Sequence, residues 1–190
     1  MSGHIFLETE RLILRRFTSA DADELFALDD DPGVMRYIDG GLPPSLEEIE
    51  GDVLPRFLWY YDTFPAWGFW AAIERSTGAF LGWFHLRPEK GAPADEPELG
   101  YRLRRSAWGQ GYATEGSRAL IEKAFREAGA RRVVASTMAV NTASWRVMEK
   151  SGMRRVRLFH ADWPVRIEGD EEGDYEYAIT REEWLAADSR

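Results

Sequence analysis

Hydrophobic residues recur along this chain with two periods, and the change from one period to the other marks the predicted elements. Alternation at every second position predicts strands, as in residues 7–17, where Leu12 and Leu14 fall on one face. Recurrence every three to four positions predicts helices, as from Tyr112 to Ala128, with Gly129 as the C-terminal cap. Strands are predicted over residues 7–17, 68–74, 79–86, 98–103, 133–137, 153–159 and 175–180, and helices over residues 20–29, 46–61, 112–128 and 141–150.

The order of these elements predicts one α/β domain over residues 1–190 rather than two smaller domains. A chain of 190 residues with 44% hydrophobic content is long enough to bury a single core. Prolines and glycines in residues 88–97 predict an exposed loop, and the acidic run 169–174 predicts a turn between the last two strands.

The most informative segment is a glycine-punctuated turn between a strand and a helix. Residues 98–116 contain a strand ending near Leu103, a turn with Gly109 and Gly111, and the start of the long helix. Main-chain N–H groups at a helix N-terminus have no intrahelical partner and carry the positive end of the helix dipole. We therefore expect this turn to bind a phosphate or pyrophosphate group.

Two nucleotide-binding motifs fit the turn poorly. A dinucleotide fingerprint requires a third small residue after Gly-x-Gly, whereas Gly111 is followed by Tyr112, Ala113 and Thr114. A P-loop requires Gly-Lys-Ser or Gly-Lys-Thr, which the chain does not contain. A dinucleotide-dependent enzyme is therefore a weaker hypothesis than the two that are considered below.

Composition narrows the class of protein further. The chain has no cysteine, which excludes disulfides, thiolate ligands to zinc and a cysteine nucleophile. Its net charge of −9 argues against general nucleic-acid binding, and no apolar run approaches the ~18 residues of a membrane span. Because the N-terminus also lacks the pattern of a signal peptide, we expect a soluble, cytoplasmic protein.

Charge is distributed unevenly along the chain. Residues 101–157 hold 13 of the 24 basic residues but only 4 of the 33 acidic residues. Because this basic segment includes the glycine turn, we expect it to bind a polyanion, while the acidic remainder attracts a cation.

Three separated blocks of the sequence resemble the GCN5-related N-acetyltransferases (GNAT), in particular the RimJ/RimL-like branch that acetylates ribosomal-protein N-termini. The blocks are Glu8-Thr-Glu-Arg-Leu-Ile-Leu-Arg15, Glu98-Leu-Gly-Tyr-Arg102 together with Trp108-Gly-Gln-Gly-Tyr-Ala-Thr-Glu115, and Asn141-Thr-Ala-Ser-Trp-Arg-Val-Met-Glu-Lys-Ser-Gly152. The resemblance implies a mixed, mostly antiparallel and splayed central sheet flanked by helices. It also implies acetyl-CoA as co-substrate.

The resemblance assigns the coenzyme to the glycine turn and to the elements beside it. Main-chain N–H groups of the turn would bind the pyrophosphate, and the preceding strand would pair with the pantetheine arm. The residues implied are Tyr101, Leu103, Arg104, Gln110, Gly111, Tyr112, Ala113, Thr114 and Asn141. Trp108 stands where the family's loop pattern has Gln or Arg, a departure that matters little for binding through the main chain. Asn141 has an alternative role as an ordinary helix N-cap.

Acetyl transfer to an amine requires a base for the nitrogen and an acid for the leaving thiolate. Glu98, on the strand expected beside the coenzyme, is the candidate base if burial raises its pKa, and its alternative role is a structural pair with Arg102. In many relatives the acid is a tyrosine in the later helix, but Met148 stands at that position here. Ser144 is therefore the candidate acid, with capping of the helix start as its alternative role.

The sequence leaves the acceptor amine open. The acidic remainder favours a cationic amine, such as a basic peptide N-terminus, a polyamine or an aminoglycoside. One or two of the aromatic residues are expected to line its pocket: Trp59, Tyr60, Tyr61, Trp67, Trp70, Trp83 and His85.

Three further expectations concern partners and cofactors. His4, His85 and His160 are too dispersed to predict a metal site, and homodimerisation is left open. Because Met148 cannot donate a proton, a non-catalytic sensor that binds acyl-CoA is the alternative to an enzyme.

Overall fold

One sheet contains the eight strands of the structure, a computed structural model that describes residues 3–38, 43–163 and 165–188. The strands are β1 (Ile5–Glu8), β2 (Leu12–Arg15), β3 (Gly68–Glu74), β4 (Phe80–Arg87), β5 (Glu98–Leu103), β6 (Arg132–Met138), β7 (Arg154–Phe159) and β8 (Asp174–Thr180). Their order is β1-β2-β3-β4-β5-β6-β8-β7, and every neighbouring pair except β5 and β6 is antiparallel. The predicted mixed, mostly antiparallel sheet is confirmed. The ends of the predicted domain, residues 1, 2, 189 and 190, lie outside the described residues.

Helices flank this sheet. They are α1 (Ala22–Asp29), α2 (Pro32–Met35), α3 (Leu46–Glu48), α4 (Leu54–Thr63), α5 (Tyr112–Arg126), α6 (Thr142–Lys150) and α7 (Arg181–Asp188). A π-helical turn over Ile49–Val53 joins α3 to α4. Within the described part of the chain, no helix combines the length and apolar character needed to cross a membrane.

Each face of the sheet has its own hydrophobic layer. On one face, Trp70 and Phe84 pack in the same layer as Phe125 of α5. On the other face, Phe69 packs with Phe57 of α4. Adjacent residues of β3 thus enter opposite layers, as the pleat of a strand requires. This packing holds α5 against the sheet, so the turn that precedes α5 has a fixed position.

The prediction of one strand over residues 7–17 is wrong. The segment forms a hairpin in which β1 and β2 pair from Ile5↔Arg15 to Glu8↔Ile13. Thr9 makes the turn: its N–H donates to Leu12 O (2.9 Å), and its hydroxyl accepts from Leu12 N (2.9 Å). A local side-chain hydrogen bond of this kind competes with extended backbone, and the alternation pattern does not report it.

The other predicted elements are present, β3 and β5 with the predicted bounds and the rest with shifted ends. α1 begins at Ala22 rather than at residue 20 because a 3-10 turn, Ser19–Asp21, precedes it. The acidic run 169–174 contains a similar turn, Asp170–Glu172. The short helix α2 and the final helix α7 are not predicted by the sequence pattern.

β5 and β6 diverge almost as soon as they meet. Their register consists of one pair, Glu98↔Val134, beside a hydrogen bond from Val134 N to Pro97 O (3.1 Å). β4 and β5, in contrast, stay paired from Arg87↔Glu98 to Gly82↔Leu103. The sheet therefore opens into a gap beside residues 99–103 of β5, which is the predicted splay.

Candidate active site

The turn between β5 and α5 depends on two glycines in the left-handed region. Gly109 has φ 72° and Gly111 has φ 86°, conformations that residues with a Cβ adopt only at a cost. The turn is closed by Trp108, whose Nε1 donates to Leu103 O (2.7 Å), and by Gln110, whose Nε2 donates to Ser106 O (2.5 Å). Trp108 thus contributes a hydrogen bond that supports the turn, in the position where the family pattern has Gln or Arg.

The N-terminus of α5 presents main-chain donors. The N–H of Glu115 makes the first intrahelical bond, to Gly111 O (3.0 Å), so the N–H groups of Tyr112, Ala113 and Thr114 precede the hydrogen-bonded part of the helix. No side chain in the described ranges caps this terminus. Most helices have a capping side chain at this position, and its absence leaves the donors available to an anion. The arrangement fits the pyrophosphate of coenzyme A, which the sequence places here.

Arg11, in the turn between β1 and β2, holds the start of α5. Its Nε and main-chain N–H donate to the two oxygens of Glu115 (2.7 and 2.9 Å), and its Nη1 donates to Gln110 O (2.9 Å). Thr9 Oγ1 adds a 2.6 Å bond to Glu115. Burial alone would raise the pKa of Glu115, but the Thr9 and Arg11 contacts outweigh it and lower that pKa. Glu115 is therefore an ionised, fully engaged carboxylate.

The side chain of Tyr112 points away from the turn. Its hydroxyl donates to Glu74 of β3, and its ring lies under the Arg11 guanidinium (4.5 Å to the ring centroid). Any contact of Tyr112 with a phosphate therefore comes from its main chain. Thr114 instead faces an open depression of about 640 Å³, whose lining includes Arg118 and Lys150.

Main-chain groups of β5 face the gap between β5 and β6. Arg104 N donates to Leu81 O (2.8 Å) on the β4 side, whereas Pro97 O accepts from β6 on the other side. Because directions alternate along a strand, the main-chain groups of Leu99 and Tyr101 and the N–H of Leu103 point into the gap, while Leu103 O accepts from Trp108 Nε1. An extended ligand has hydrogen-bonding partners there. The resemblance implies that Arg104 contacts the coenzyme. In the structure its N–H instead bonds to β4, and its guanidinium pairs with Glu24.

Tyr101 and Ser144 connect β5 to α6. The Tyr101 hydroxyl donates to Ser144 O (2.8 Å) and lies 3.2 Å from Ser144 Oγ. Burial raises the pKa of Tyr101 well above its ordinary value. Asn141 Oδ1 accepts from Ser144 N (3.3 Å), which shows that Asn141 is the N-cap of α6. Met148 is buried in the hydrophobic layer and offers no proton.

Glu98 belongs to the pair Glu98↔Val134, beyond which β5 and β6 diverge. Its Oε1 accepts from Ser136 Oγ (3.2 Å), and its Oε2 lies 3.5 Å from His85 Nε2 and 3.6 Å from Arg87 Nη2. Burial alone would raise the pKa of this carboxyl group, but contacts with His85, Arg87 and Ser136 outweigh burial and lower it. Glu98 is therefore ionised at neutral pH, and the condition attached to its role as base, a pKa raised by burial, is not met.

The alternative role of Glu98, a structural pair with Arg102, does not occur. Arg102 Nη1 instead binds Asp29 Oδ1 (2.6 Å), and its guanidinium lies over the Trp83 ring (5.0 Å). The partners of Glu98 come from β4 and β6. They were missed by sequence reasoning because they depend on strand register, which no spacing along the chain reports.

Most of the aromatic residues expected near the acceptor belong to the hydrophobic layers. Trp67, Trp70 and Trp83 are buried. The Tyr61 hydroxyl is used inside the protein, where it accepts from Phe17 N (3.0 Å) and donates to Phe69 O. Trp59 is 53% exposed. Of the expected set, His85 is the residue that contacts Glu98.

The uneven charge along the sequence is largely balanced in space. Several arginines of the basic segment are paired with acidic residues from outside it. The pairs are Arg102–Asp29, Arg104–Glu24, Arg105–Asp31, Arg132–Glu176 and Arg157–Glu176. The uneven distribution of charge along the sequence is therefore a weak argument for a cationic acceptor, and the carboxylates near Glu98 are a better one.

Comparison with known proteins agrees with this geometry. A family model described as an acetyltransferase (GNAT) domain matches residues 11–154, from the Arg11 turn to the start of β7. The FsC-acetyl coenzyme A-N(2)-transacetylase of Aspergillus fumigatus is 35% identical over 188 residues, covering 94% of this chain and 77% of that protein. The N-acetyltransferase YnaD of Bacillus subtilis is 31% identical over 184 residues, covering 94% of this chain and 98% of its own length.

A solved structure shares the fold. The crystal structure of a GNAT-family acetyltransferase from Bacillus anthracis matches with a TM-score of 0.73 and 27% identity, covering 94% of this chain and 99% of that one. The chain therefore belongs to the GNAT acetyltransferases and is an acyltransferase that uses acetyl-CoA to acetylate an amine nitrogen.

Proposed function

We propose that this enzyme acetylates the primary amine of a cationic acceptor, with Glu98 beside the attacking nitrogen. The position of Glu98 carries the proposal: it is an ionised carboxylate at the closed end of the gap between β5 and β6. The uncapped start of α5 lies beyond the other end of β5. A coenzyme held at that start and along Leu103 and Tyr101 extends toward Glu98, which brings the thioester and the carboxylate together.

A cationic acceptor is favoured by a second carboxylate near Glu98. The pKa of Glu89 is raised, first by the negative charge of Glu98 and then by burial, and a hydrogen bond to Glu98 adds to the effect. An ammonium group beside this pair of carboxyl groups offsets their repulsion. The relative named for transfer to an N(2) nitrogen supports an α-amine as the group acetylated. A peptide N-terminus or another α-amine with a pKa of ~7.7–8.0 needs less help in losing a proton than lysine at ~10.4.

The chemistry at the nitrogen suits a carboxylate of low pKa. Glu98 first attracts and orients the ammonium form of the acceptor, which loses one proton to solvent and so gains the lone pair that attacks the thioester carbon. Once the nitrogen has begun to bond to the thioester carbon, its remaining proton becomes strongly acidic, and even a weak base such as Glu98 accepts it. Ser136 and Arg87 keep the carboxylate pointing into the gap.

Ser144 is the residue we assign to the leaving thiolate. Its hydroxyl lies at the start of α6, facing β5 and in contact with the Tyr101 hydroxyl. The Tyr101 side chain, buried and bonded to Ser144 O, fixes the distance between the two elements. This arrangement compensates for Met148 at the position where many relatives have a tyrosine.

The test is thiol release from acetyl-CoA with a panel of amines. Amino-acid amides, short basic peptides, polyamines, aminoglycosides and neutral amines are compared at low salt, where charge attraction is strongest. Glu98→Gln is expected to lower kcat by about a hundredfold. Glu96→Gln, two residues earlier in the chain, is the matched control. Wild-type kcat in Glu98→Gln, or equal turnover of neutral and cationic amines, contradicts the proposal.

The alternative of a sensor that binds acyl-CoA without turnover rested on Met148, which is 2% exposed and packs in the hydrophobic layer. The same assay tests it: a sensor predicts a thermal shift with acetyl-CoA and no thiol release across the whole panel. Release with any amine excludes the sensor.

A further inference from the structure

His85 is the one residue near Glu98 for which neither the fold nor the proposed function yet gives a role. It lies on β4 between aromatic rings: the Trp83 ring is stacked at 5.8 Å and the Phe69 ring is edge-on at 5.3 Å. The polar edge of the imidazole lies over Gly100 of β5. A Cβ at Gly100 would come within 2.5 Å of His85 Cε1 and 2.6 Å of Nε2. The absence of a side chain at position 100 is what allows the ring to reach the gap.

The imidazole has no hydrogen-bond partner of its own. Both Nδ1 and Nε2 are buried, and neither makes a hydrogen bond to any residue in the described ranges. A buried polar group without a partner costs about 1–3 kcal/mol, so native structures rarely retain one without a functional reason. The nearest polar atom to Nε2 is Glu98 Oε2, 3.5 Å away, slightly beyond ordinary hydrogen-bond length.

The charges around His85 keep it neutral. Glu98 and Arg102 face it from β5, Arg87 faces it from β4 itself, and β3 contributes the uncharged Phe69. Burial lowers the pKa of His85, and the two arginines add to that, while Glu98 opposes them. At neutral pH the site therefore holds a neutral imidazole beside an ionised carboxylate.

We propose that His85 is a catalytic residue that takes on Nε2 the proton that Glu98 receives from the acceptor amine. The inference rests on the proposed role of Glu98 as the first proton acceptor. A free imidazole, with a pKa of ~6.5, is a stronger base than a free carboxylate at ~4.3, and the site lowers the pKa of both groups: burial and two arginines lower that of His85, and the contacts with His85, Arg87 and Ser136 lower that of Glu98. The imidazole also gains a charge partner on protonation, because the carboxylate beside it becomes negative again.

The amine nitrogen bonds to the thioester carbon, the C–S bond breaks, and its electron pair leaves on sulfur. The nitrogen loses one proton to Glu98 Oε2 and keeps the N–H electron pair as the amide forms. That proton then moves to the lone pair of His85 Nε2. Because both ring nitrogens are buried, it later reaches solvent by returning through Glu98, whose side chain is 14% exposed. The thiolate gains one proton from solvent, directly or through Ser144.

The experiment compares His85→Gln with wild type. Glutamine keeps polar atoms near the same place but cannot take up a proton. Thiol release is measured at saturating acetyl-CoA, as a function of pH, with a fluorinated primary amine that stays neutral over the titrated range. We expect kcat to fall by about ten- to a hundredfold, with the KM for acetyl-CoA nearly unchanged. We also expect the acidic limb of the pH profile to move to lower pH, because the carboxylate then titrates alone.

Two further measurements separate catalysis from packing. In His85→Ala, added imidazoles should restore part of kcat, and the rescue should increase with the basicity of the imidazole. A packing role predicts rescue that depends on size alone. His160→Gln, which removes a histidine from the surface, is the control for the loss of one titrating group and should leave the profile unchanged.

The outcomes distinguish this inference from the proposed function. A wild-type pH profile and kcat in His85→Gln, with Glu98→Gln inactive, overturns the role of His85 and leaves that of Glu98 standing. Full kcat in both variants overturns both roles. If the His85 variants unfold, the proton inventory of the wild-type enzyme, which is the dependence of kcat on the fraction of D₂O in H₂O, decides whether His85 takes part. Two protons in motion support the inference, and one overturns it.

Discussion

Arg11 binds Glu115 and Gln110 at the same time, so the turn between β1 and β2 and the start of α5 form one rigid unit. The guanidinium Nη2 lies 2.6 Å from Glu115 Oε2, and Nη1 lies 2.9 Å from Gln110 O. The pair is partly buried, with exposed fractions of 42% for Arg11 and 19% for Glu115. Residues nearly 100 positions apart in the chain thereby set the geometry of the turn that is assigned to the coenzyme.

Removing Arg11 should weaken coenzyme binding without slowing the chemistry. Arg11→Ala frees the turn and leaves an uncompensated carboxylate close to the diphosphate. We expect the KM for acetyl-CoA to rise by about tenfold with little change in kcat. Because part of the effect is repulsion, the double variant Arg11→Ala with Glu115→Gln should recover part of the loss. Steady-state kinetics of four proteins test this prediction: wild type, Arg11→Ala, Glu115→Gln and the double variant.

A control lies at the other end of the same helix. Glu127 pairs with Lys123 (2.6 Å), and Glu127→Gln removes a carboxylate from α5 far from the turn. Its KM should equal that of wild type. A KM for Arg11→Ala that also equals that of wild type would show that the Arg11 contacts do not position the turn.

Alanine at Gly111 should damage both stability and coenzyme binding. The φ of 86° is left-handed, and a Cβ would also meet Arg11 Nη2 at 3.4 Å. We expect a loss of about 1–2 kcal/mol in the free energy of unfolding, together with a raised KM for acetyl-CoA. Urea unfolding and steady-state kinetics measure the two effects.

Gly78 offers a matched comparison. It has φ 75°, lies in the turn between β3 and β4, and a Cβ there meets no atom of the described residues within 4 Å. Gly78→Ala should therefore cost a similar amount of stability and leave the KM unchanged. Equal changes in KM for the two variants would mean that the effect at Gly111 is general destabilisation.

The Ser144 hydroxyl and the Tyr101 hydroxyl should have separable roles. Ser144→Ala removes the group assigned to the thiolate, and we expect kcat to fall by about tenfold or more. Tyr101→Phe removes the bond to Ser144 O, and we expect a loss of about 1 kcal/mol of stability with a smaller change in kcat. Thiol-release kinetics and urea unfolding test both. A kcat for Ser144→Ala equal to that of wild type excludes Ser144 as the proton donor.

The ion pair between Arg15 and Asp21 should make stability depend on acidic pH. It is bidentate, with distances of 2.6 and 2.9 Å, and both side chains are largely buried. Burial alone would raise the pKa of Asp21, but Arg15 and Thr18 outweigh it and lower that pKa. Stability from this pair is thus present above the unfolded pKa of ~3.9 and is lost as the pH falls through the lower folded value.

Asp21→Asn should leave Arg15 without a charge partner and cost about 3–5 kcal/mol at neutral pH. Asp52→Asn is the comparison, because Asp52 pairs with Arg56 at 3.9 Å on the exposed surface, where such pairs contribute ~0–1 kcal/mol. Urea unfolding as a function of pH measures both variants. Equal costs would contradict the argument from burial.

The sheet could be predicted where local periodicity decides the structure. The predicted bounds of β3 and β5, residues 68–74 and 98–103, agree with the structure, because these strands are bounded by turn-forming residues and buried against helices. The segment 7–17 could not be predicted as a hairpin. Its turn depends on the Thr9 hydroxyl and on Arg11 reaching α5, and both are contacts that hydrophobic alternation does not encode.

The candidate site also has one part that could be predicted from the sequence and one part that could not. The glycine turn and the start of α5 are local, so the sequence predicts a phosphate-binding turn there, and the resemblance implies the main-chain groups of residues 110–114 as its donors. The surroundings of Glu98 could not, because His85, Arg87 and Ser136 reach it from two other strands. The direction of the Glu98 pKa shift follows from those neighbours, and burial, the one influence considered from the sequence, acts in the opposite direction.

The single pair Glu98↔Val134 has a mechanical consequence. The sheet consists of a five-stranded part and a three-stranded part that share one residue pair, with α5 and α6 bridging them. A coenzyme arm lying in the gap acts as a missing strand and completes the lattice of main-chain bonds. Amides of β6 should then exchange with deuterium much more slowly in the complex than in the free enzyme, and the two parts should melt as one cooperative unit only when the ligand is bound.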